Sequence, residues 1–247
     1  PYVTAVERRF VPSWSPSPIC RPAFLGTRTL AAHPLEELVP YIDWSPLFHA
    51  WELKGTFPGI LDHPSYGPAA QELHDHALRL LDRIVEERLL TASAVHGFFP
   101  AGAAGDDIVV WDDDQRSSEL ARFHTLRQQS AKQPGKPHYA LADFVAPLES
   151  ATTDFLGAFA LTIGLGVDDL TAQFENAHDD YHSIMTKALA DRLAEAFAEH
   201  LHERVRKESL HSAFLVEACT TGPVCLRHGS GAGDSDVRAI PRPRSAD

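Results

Sequence analysis

Residues 177 to 207 read AHDDYHSIMTKALADRLAEAFAEHLHERVRK, and this run sets the architecture of the chain. With the residues just before it, it carries apolar side chains at Leu170, Phe174, Ala177, Tyr181, Ile184, Met185, Ala188, Leu189, Leu193, Ala196, Phe197, Leu201 and Val205. The steps of three and four, with an occasional one, keep a single stripe on one face of a helix. Asp168 and Asp169 stand at the expected first turn and Arg204, Arg206 and Lys207 at the last, so each charge complements the helix dipole. A continuous helix of this span would be roughly 60 Å long at ~1.5 Å per residue, longer than a small domain accommodates. A break near Tyr181 to Lys187, or two helices in series, is therefore expected.

Upstream of this run, DFLGAFALTIGLG and HYALADFVAP read as strands, and AVHGFFPA, AGAAGDD and IVVW read as strand, turn and hairpin partner. FLGTRTL from Phe24 is a short strand. PLEELVPYIDWSPLFHAWEL is a capped helix that turns at Pro40 into a segment with alternating bulky residues. Gly55 to Ser65 is a loop, and residues 68 to 90 form a second amphipathic helix with Leu73, Ala77, Leu80, Leu81, Ile84 and Val85 on one side. ELARFHTLRQQSAK is expected to be helical near its end, before the PGKP turn. Strands in runs with helices at the ends point to an α+β fold with a mixed or antiparallel twisted sheet and long helices, not a doubly wound parallel one.

Composition narrows the function. The 247 residues are 44% hydrophobic and 23% charged, ordinary for a globular chain that buries a sizeable core. A formal charge of −12 argues against nucleic-acid binding, which needs a basic footprint. No apolar run approaches a membrane span, and the start, PYVTAVERRFVPSWSPSP, lacks the apolar core of a signal peptide. A cytoplasmic protein with no nucleic-acid or membrane partner is expected. Cys20, Cys219 and Cys225 all lie in the flanks, which fits a reducing compartment and offers neither a metal knuckle nor a core nucleophile. The stretch from residue 1 to about 23 is proline-rich and linker-like, and the tail beyond about Ala218 lacks apolar periodicity.

Few constellations carry chemistry. His178 and His182 flank Asp179 and Asp180, but HDDYH is not HExxH and no third ligand is indicated, so no metal is expected. Gly102 and Gly105 lack phosphate-loop spacing, and no GxSxG elbow occurs. In YIDWSPLF, Asp43 lies among Tyr41, Trp44, Leu47 and Phe48, a setting that suits a cationic ligand, although from local sequence alone an Asp capping the turn before Ser45 and Pro46 is the plainer reading. Arg116, Arg122, Arg127, Lys132 and Lys136 concentrate positive charge as a solvated face or as a docking face for an acidic partner.

Several separated runs resemble one family together: FLGT (24–27), PLEELVPYIDWSPLF (34–48), GFFPA (97–101), GDDI (105–108), LRQQ (126–129), LADFVAP (141–147), DFLGAFA (154–160) and FENAHDDYHSIMTKALADRLAEAFAEHLHERVRK (174–207). In order and spacing they are similar to the activation domain of cobalamin-dependent methionine synthase. The resemblance implies a module that presents S-adenosylmethionine to cob(II)alamin during flavodoxin-linked reactivation, in methionine biosynthesis. It implies Asp43 and Glu195 as S-adenosylmethionine-binding residues, Asp191 as a contact to the cobalamin-binding module, and no catalytic residue. It also implies a flavodoxin or related flavoprotein as partner, with cobalamin reached only through the partner module. By family the chain is a methyltransferase, and without the homocysteine, folate and cobalamin modules it is not expected to turn over alone.

One departure stands out. Similarity fades at about Glu208, and the family's RPAPGYP-type run, which holds S-adenosylmethionine, has no counterpart; IPRPRS lacks the Gly-Tyr pair. The resemblance therefore implies an activation-domain-like fold that is C-terminally truncated: 1–23 linker-like, 24–207 a partial activation domain, and 208–247 a divergent, disordered tail. A non-catalytic docking fragment that no longer binds S-adenosylmethionine is the alternative expectation.

Overall fold

The computed structural model describes residues 2–12, 14, 19, 21–150 and 152–209. Cys20, Cys219 and Cys225, and with the latter two the tail beyond Ser209, lie outside the described residues. The spine is β2 (Thr91–Ala104), a strand long enough to carry two neighbours along one side. Its first part pairs with β1 (Gly26–His33) and its end with β3 (Asp107–Trp111), while β5 (Asp154–Leu165) lines the opposite side from Thr91 to Ala101. β4 (Glu119–His124) extends the β3 edge. Every pairing between named strands is antiparallel, which narrows the expectation of a mixed or antiparallel sheet to the latter.

Helices cover one end of this sheet. α2 (Ser45–Ala50), α3 (Gly67–Glu86), α4 (Val167–Asn176) and α5 (Asp180–Arg204) share the main core with Ala92 and Ala94 of β2 and Ile163 of β5. The stripe foreseen on α3 is buried at Leu73, Ala77, Leu80, Leu81 and Ile84. α5 buries Met185, Leu189, Leu193, Phe197 and Leu201. A smaller second core lies at the β3 end of the sheet, where Ala101, Ile108, Val110 and Leu156 pack on Ala142 and Val145.

Four local expectations are corrected. α4 and α5 are two helices in series, one of the expected outcomes, but the break falls at Ala177 to Asp179 and not at Tyr181 to Lys187: His178 has φ +57°, and the Asp179 carboxylate caps α5 by accepting from the His182 N–H at 3.1 Å. The apolar stripe runs through this break, so periodicity alone could not locate it. Residues 34–50 form two 3-10 turns, Leu35–Glu37 and Val39–Tyr41, followed by α2, because Pro40 cannot donate and Pro46 favours a fresh helix start. ELARFHTLRQQSAK gives the edge strand β4 and no helix. HYALADFVAP gives a 3-10 turn at Leu141–Phe144, held by the Asp143 carboxylate accepting from the Ala140 N–H at 2.9 Å. Within the stretch read as linker-like, α1 (Tyr2–Glu7) buries Ala5, and Arg9 bridges to His138.

Candidate functional site

The α5 surface opposite the core is acidic. Ile184, Lys187, Asp191, Glu195 and Glu199 are all exposed and follow one another at steps of three or four, so they form one ridge. Asp191 and Glu195 are one turn apart on that ridge, and Asp191 pairs with Arg192 beside it. Like charges four residues apart weaken a helix by roughly 0.2–0.5 kcal/mol per pair. The sequence nevertheless keeps three carboxylates there in succession.

Asp43 occupies the link between the Val39–Tyr41 turn and α2, both of which pack against α5. It is exposed, and its Oδ1 accepts from the Ser45 N–H at 2.9 Å, the turn-capping bond expected of an Asp at this position. Its apolar neighbours face away from it: Leu47 and Phe48 are core residues, and Trp44 packs edge-on against His74 at 4.9 Å. Tyr41 alone stays partly exposed and donates to Glu203 near the end of α5. The Lys207 ammonium and the Tyr41 hydroxyl hold the Glu203 carboxyl below the usual carboxylate range, while donation to Glu203 pushes the Tyr41 hydroxyl up. Asp43 is thus an exposed carboxylate on a turn anchored to α5, with its other oxygen uncommitted to the cap.

A cleft of about 520 Å³ adjoins the start of α5, lined by Trp51, Leu53, Ala69, Glu72, Leu73, His76 and Tyr181. Trp51 meets Tyr181 edge-on at 5.9 Å, and the Tyr181 hydroxyl bonds the His76 Nδ1 at 2.9 Å. Burial, with the Glu72 charge, raises the Tyr181 hydroxyl above its ordinary range. Sequence reading missed this feature because its residues come from three separated parts of the chain, the segment after α2, one face of α3 and the start of α5.

Two expected constellations change character. His178 lies in the left-handed break before α5, so it does not share a helical face with His182, whose Nδ1 bonds the Asp179 carboxylate at 2.7 Å. The basic run is not a free docking face. Arg127 is 1% exposed and bonds Asp106 and Asp143 at 2.6 Å each, Arg122 pairs with Glu119 at 2.7 Å, and Arg116 lies 4.9 Å over the Trp111 ring. Among the described residues, no helix is long and apolar enough to cross a membrane.

Fold and surface together define an antiparallel-sheet and helix module with exposed carboxylates on and beside a long helix, groups that attract cations by charge. A family model described as the activation domain of vitamin B12-dependent methionine synthase matches residues 34–214. A crystal structure of the MetH reactivation domain bound to AdoHcy superposes with a TM-score of 0.80 at 45% sequence identity, covering 84% of this chain and 63% of that one. The chain belongs to the family of vitamin B12-dependent methionine synthase activation domains.

Proposed function

We propose that this chain is the reactivation module of a cobalamin-dependent methionine synthase, a cytoplasmic methyltransferase system of methionine biosynthesis. It would hold S-adenosylmethionine against the cob(II)alamin of a separate cobalamin-binding module while a flavodoxin or related flavoprotein supplies the electron. The observation that carries this reading is the close match, over most of the chain, to a reactivation domain solved with AdoHcy, the demethylated form of that methyl donor. The module itself comprises residues 24–207 in this reading, with 1–23 leading into it and 208–247 following as a divergent tail.

The residues fit a cationic ligand. Asp43 offers an exposed carboxylate on a turn pinned to α5, and Glu195 offers a second on the exposed α5 ridge. Carboxylates favour a sulfonium and an α-ammonium by charge, and no acid-base pair is required when the task is to position a methyl group. Asp191, one turn before Glu195, is the contact to the cobalamin module. A docked cobalamin module, reduced by the flavoprotein, would supply the methyl acceptor, with the thioether AdoHcy as leaving group; this chain would supply orientation.

A second reading has its own observation. The chain spans 63% of the solved reactivation domain, and its sequence lacks an RPAPGYP-type run. It then serves as a docking fragment for a cobalamin protein or flavodoxin without holding the nucleoside. Mixing the chain with a cobalamin-binding module of the family, a flavodoxin and a reductant separates the two. Conversion to the methylcobalamin spectrum that depends on S-adenosylmethionine, slowed by Asp191→Ala, supports the first reading. Co-elution without conversion supports the second, and neither co-elution nor conversion overturns both.

A further inference from the structure

His33, Glu37 and His200, three residues that the reactivation reading does not use, converge from three elements. His33 ends β1, where the pairing with β2 shifts register after Leu30 and Ala32 adopts φ +49°, an uncommon conformation for a residue with a side chain. The kink turns the His33 ring onto Phe197 of α5, stacked at 5.0 Å and 12°. Glu37 closes the 3-10 turn that follows, and His200 lies one turn beyond Phe197.

The three side chains each bring a ligand atom to within 4.8 Å of the others. His33 Nε2 lies 3.4 Å and His200 Nε2 3.8 Å from Glu37 Oε2, too far for good hydrogen bonds. The His33 side chain is 6% exposed and that of His200 15%, yet His33 Nε2 and both His200 nitrogens are buried without a hydrogen-bond partner. A buried polar atom left unpaired is costly, so something of matching chemistry is called for at their meeting point. Four ligands held about 2.0–2.1 Å from a tetrahedral ion lie about 3.3 Å from one another; the two separations from Glu37 are near this value, and the His33 and His200 ligand atoms lie within 4.8 Å.

We infer that His33, Glu37 and His200 form a binding site for a divalent first-row transition ion, of which Zn²⁺ is the best fit. Two imidazoles and one carboxylate are a borderline-soft set that suits Zn²⁺ or Co²⁺ better than Mg²⁺ or Ca²⁺. Burial is the largest influence on the His33 ring and lowers its pKa, and the neighbouring His200 acts in the same direction. Arg204 also acts on His33 with positive charge, and Glu37 and Glu36 oppose it. Glu37 is 52% exposed, which leaves an entry path and a fourth position for water. Such an ion would fasten the end of β1 to α5, the helix that carries Asp191 and Glu195.

The test is a Co²⁺ titration of the untagged chain, followed by Zn²⁺ competition. The expected result is a saturable visible absorption band at one ion per chain, displaced by Zn²⁺ and weakened at least about tenfold by Glu37→Gln and by His200→Gln. Both substitutions leave the His33–Phe197 stack in place, although His200→Gln removes a ring packed 4.9 Å from His33, and equal urea midpoints without metal would show that the variants are folded. Equal affinity in wild type and both variants would place the ion elsewhere and overturn the site. Absence of saturable binding by folded wild type at about 1 mM metal would overturn it too, and would leave a bridging water as the partner of these nitrogens.

Discussion

Replacing Arg127 by Met should destabilise the chain more than any comparable change at its other arginines. The guanidinium is 1% exposed and makes hydrogen bonds from all three nitrogens: Nε and Nη2 to Asp106, Nη1 and Nη2 to Asp143, and Nη1 to the His138 carbonyl at 2.6 Å. Removing it leaves Asp106 and Asp143, 15% and 6% exposed, without their shared cation, although each keeps one donor, the Tyr2 hydroxyl and the Ala140 N–H respectively. Breaking a buried pair by deleting one partner costs about 3–5 kcal/mol, and the methionine stem recovers only packing. Arg122, whose side chain is 35% exposed, pairs with Glu119 at the surface and should lose about 1 kcal/mol or less as Arg122→Met. Urea unfolding of both variants beside the wild type reads the difference directly, and thermal midpoints should separate by roughly 2–4 °C per kcal/mol. A loss at Arg127 of under about 1 kcal/mol, indistinguishable from Arg122, would refute the claim that this network fastens residues 125–143 to the β2–β3 turn.

Two further outcomes follow from the same packing. Burial lowers the pKa of His33, His74 and His96 below 6.5, so the unfolded chain binds protons that the folded chain refuses. Stability should be full above about pH 7 and fall as pH drops through 6.5 toward the folded values, and a urea midpoint that stays flat down to about pH 5 would contradict this. Gly166 begins α4 with φ +101°, and a Cβ there would lie 2.3 Å from the Leu89 carbonyl oxygen. Gly166→Ala should therefore cost more than about 1–2 kcal/mol, whereas Gly105→Ala, with open space around it, should show only the milder strain of its own positive φ, compared by thermal melts.

Much of this was legible because it rests on period. α3, the α4 and α5 stripe, the β2–β3 hairpin and β5 each repeat apolar residues often enough to reveal their faces. The misreadings cluster where one side chain decides the backbone. Asp179 and the left-handed His178 place the break within an uninterrupted stripe. Pro40 and Asp143 hold turns of only three or four residues, too short to show a period. Arg127 reads as one more cation in a basic run, and only folding brings Asp106 and Asp143 to it from either side. For the same reason Asp43 could be singled out by type but not by orientation, since Trp44 and Phe48 turn into the core while Tyr41 reaches Glu203. His33, Glu37 and His200 share no motif and meet only because β1 ends against α5.

In the proposed function, the exposed Asp43 turn and the α5 ridge hold an adenosylated sulfonium. Isothermal titration of the full chain with S-adenosylmethionine, with Asp43→Ala and Glu195→Gln in parallel, tests it most directly. Micromolar binding by the wild type, lost in Asp43→Ala and weakened in Glu195→Gln while both variants unfold at the wild-type urea midpoint, is the predicted result. No heat at millimolar ligand, or equal affinity in all three proteins, would contradict it.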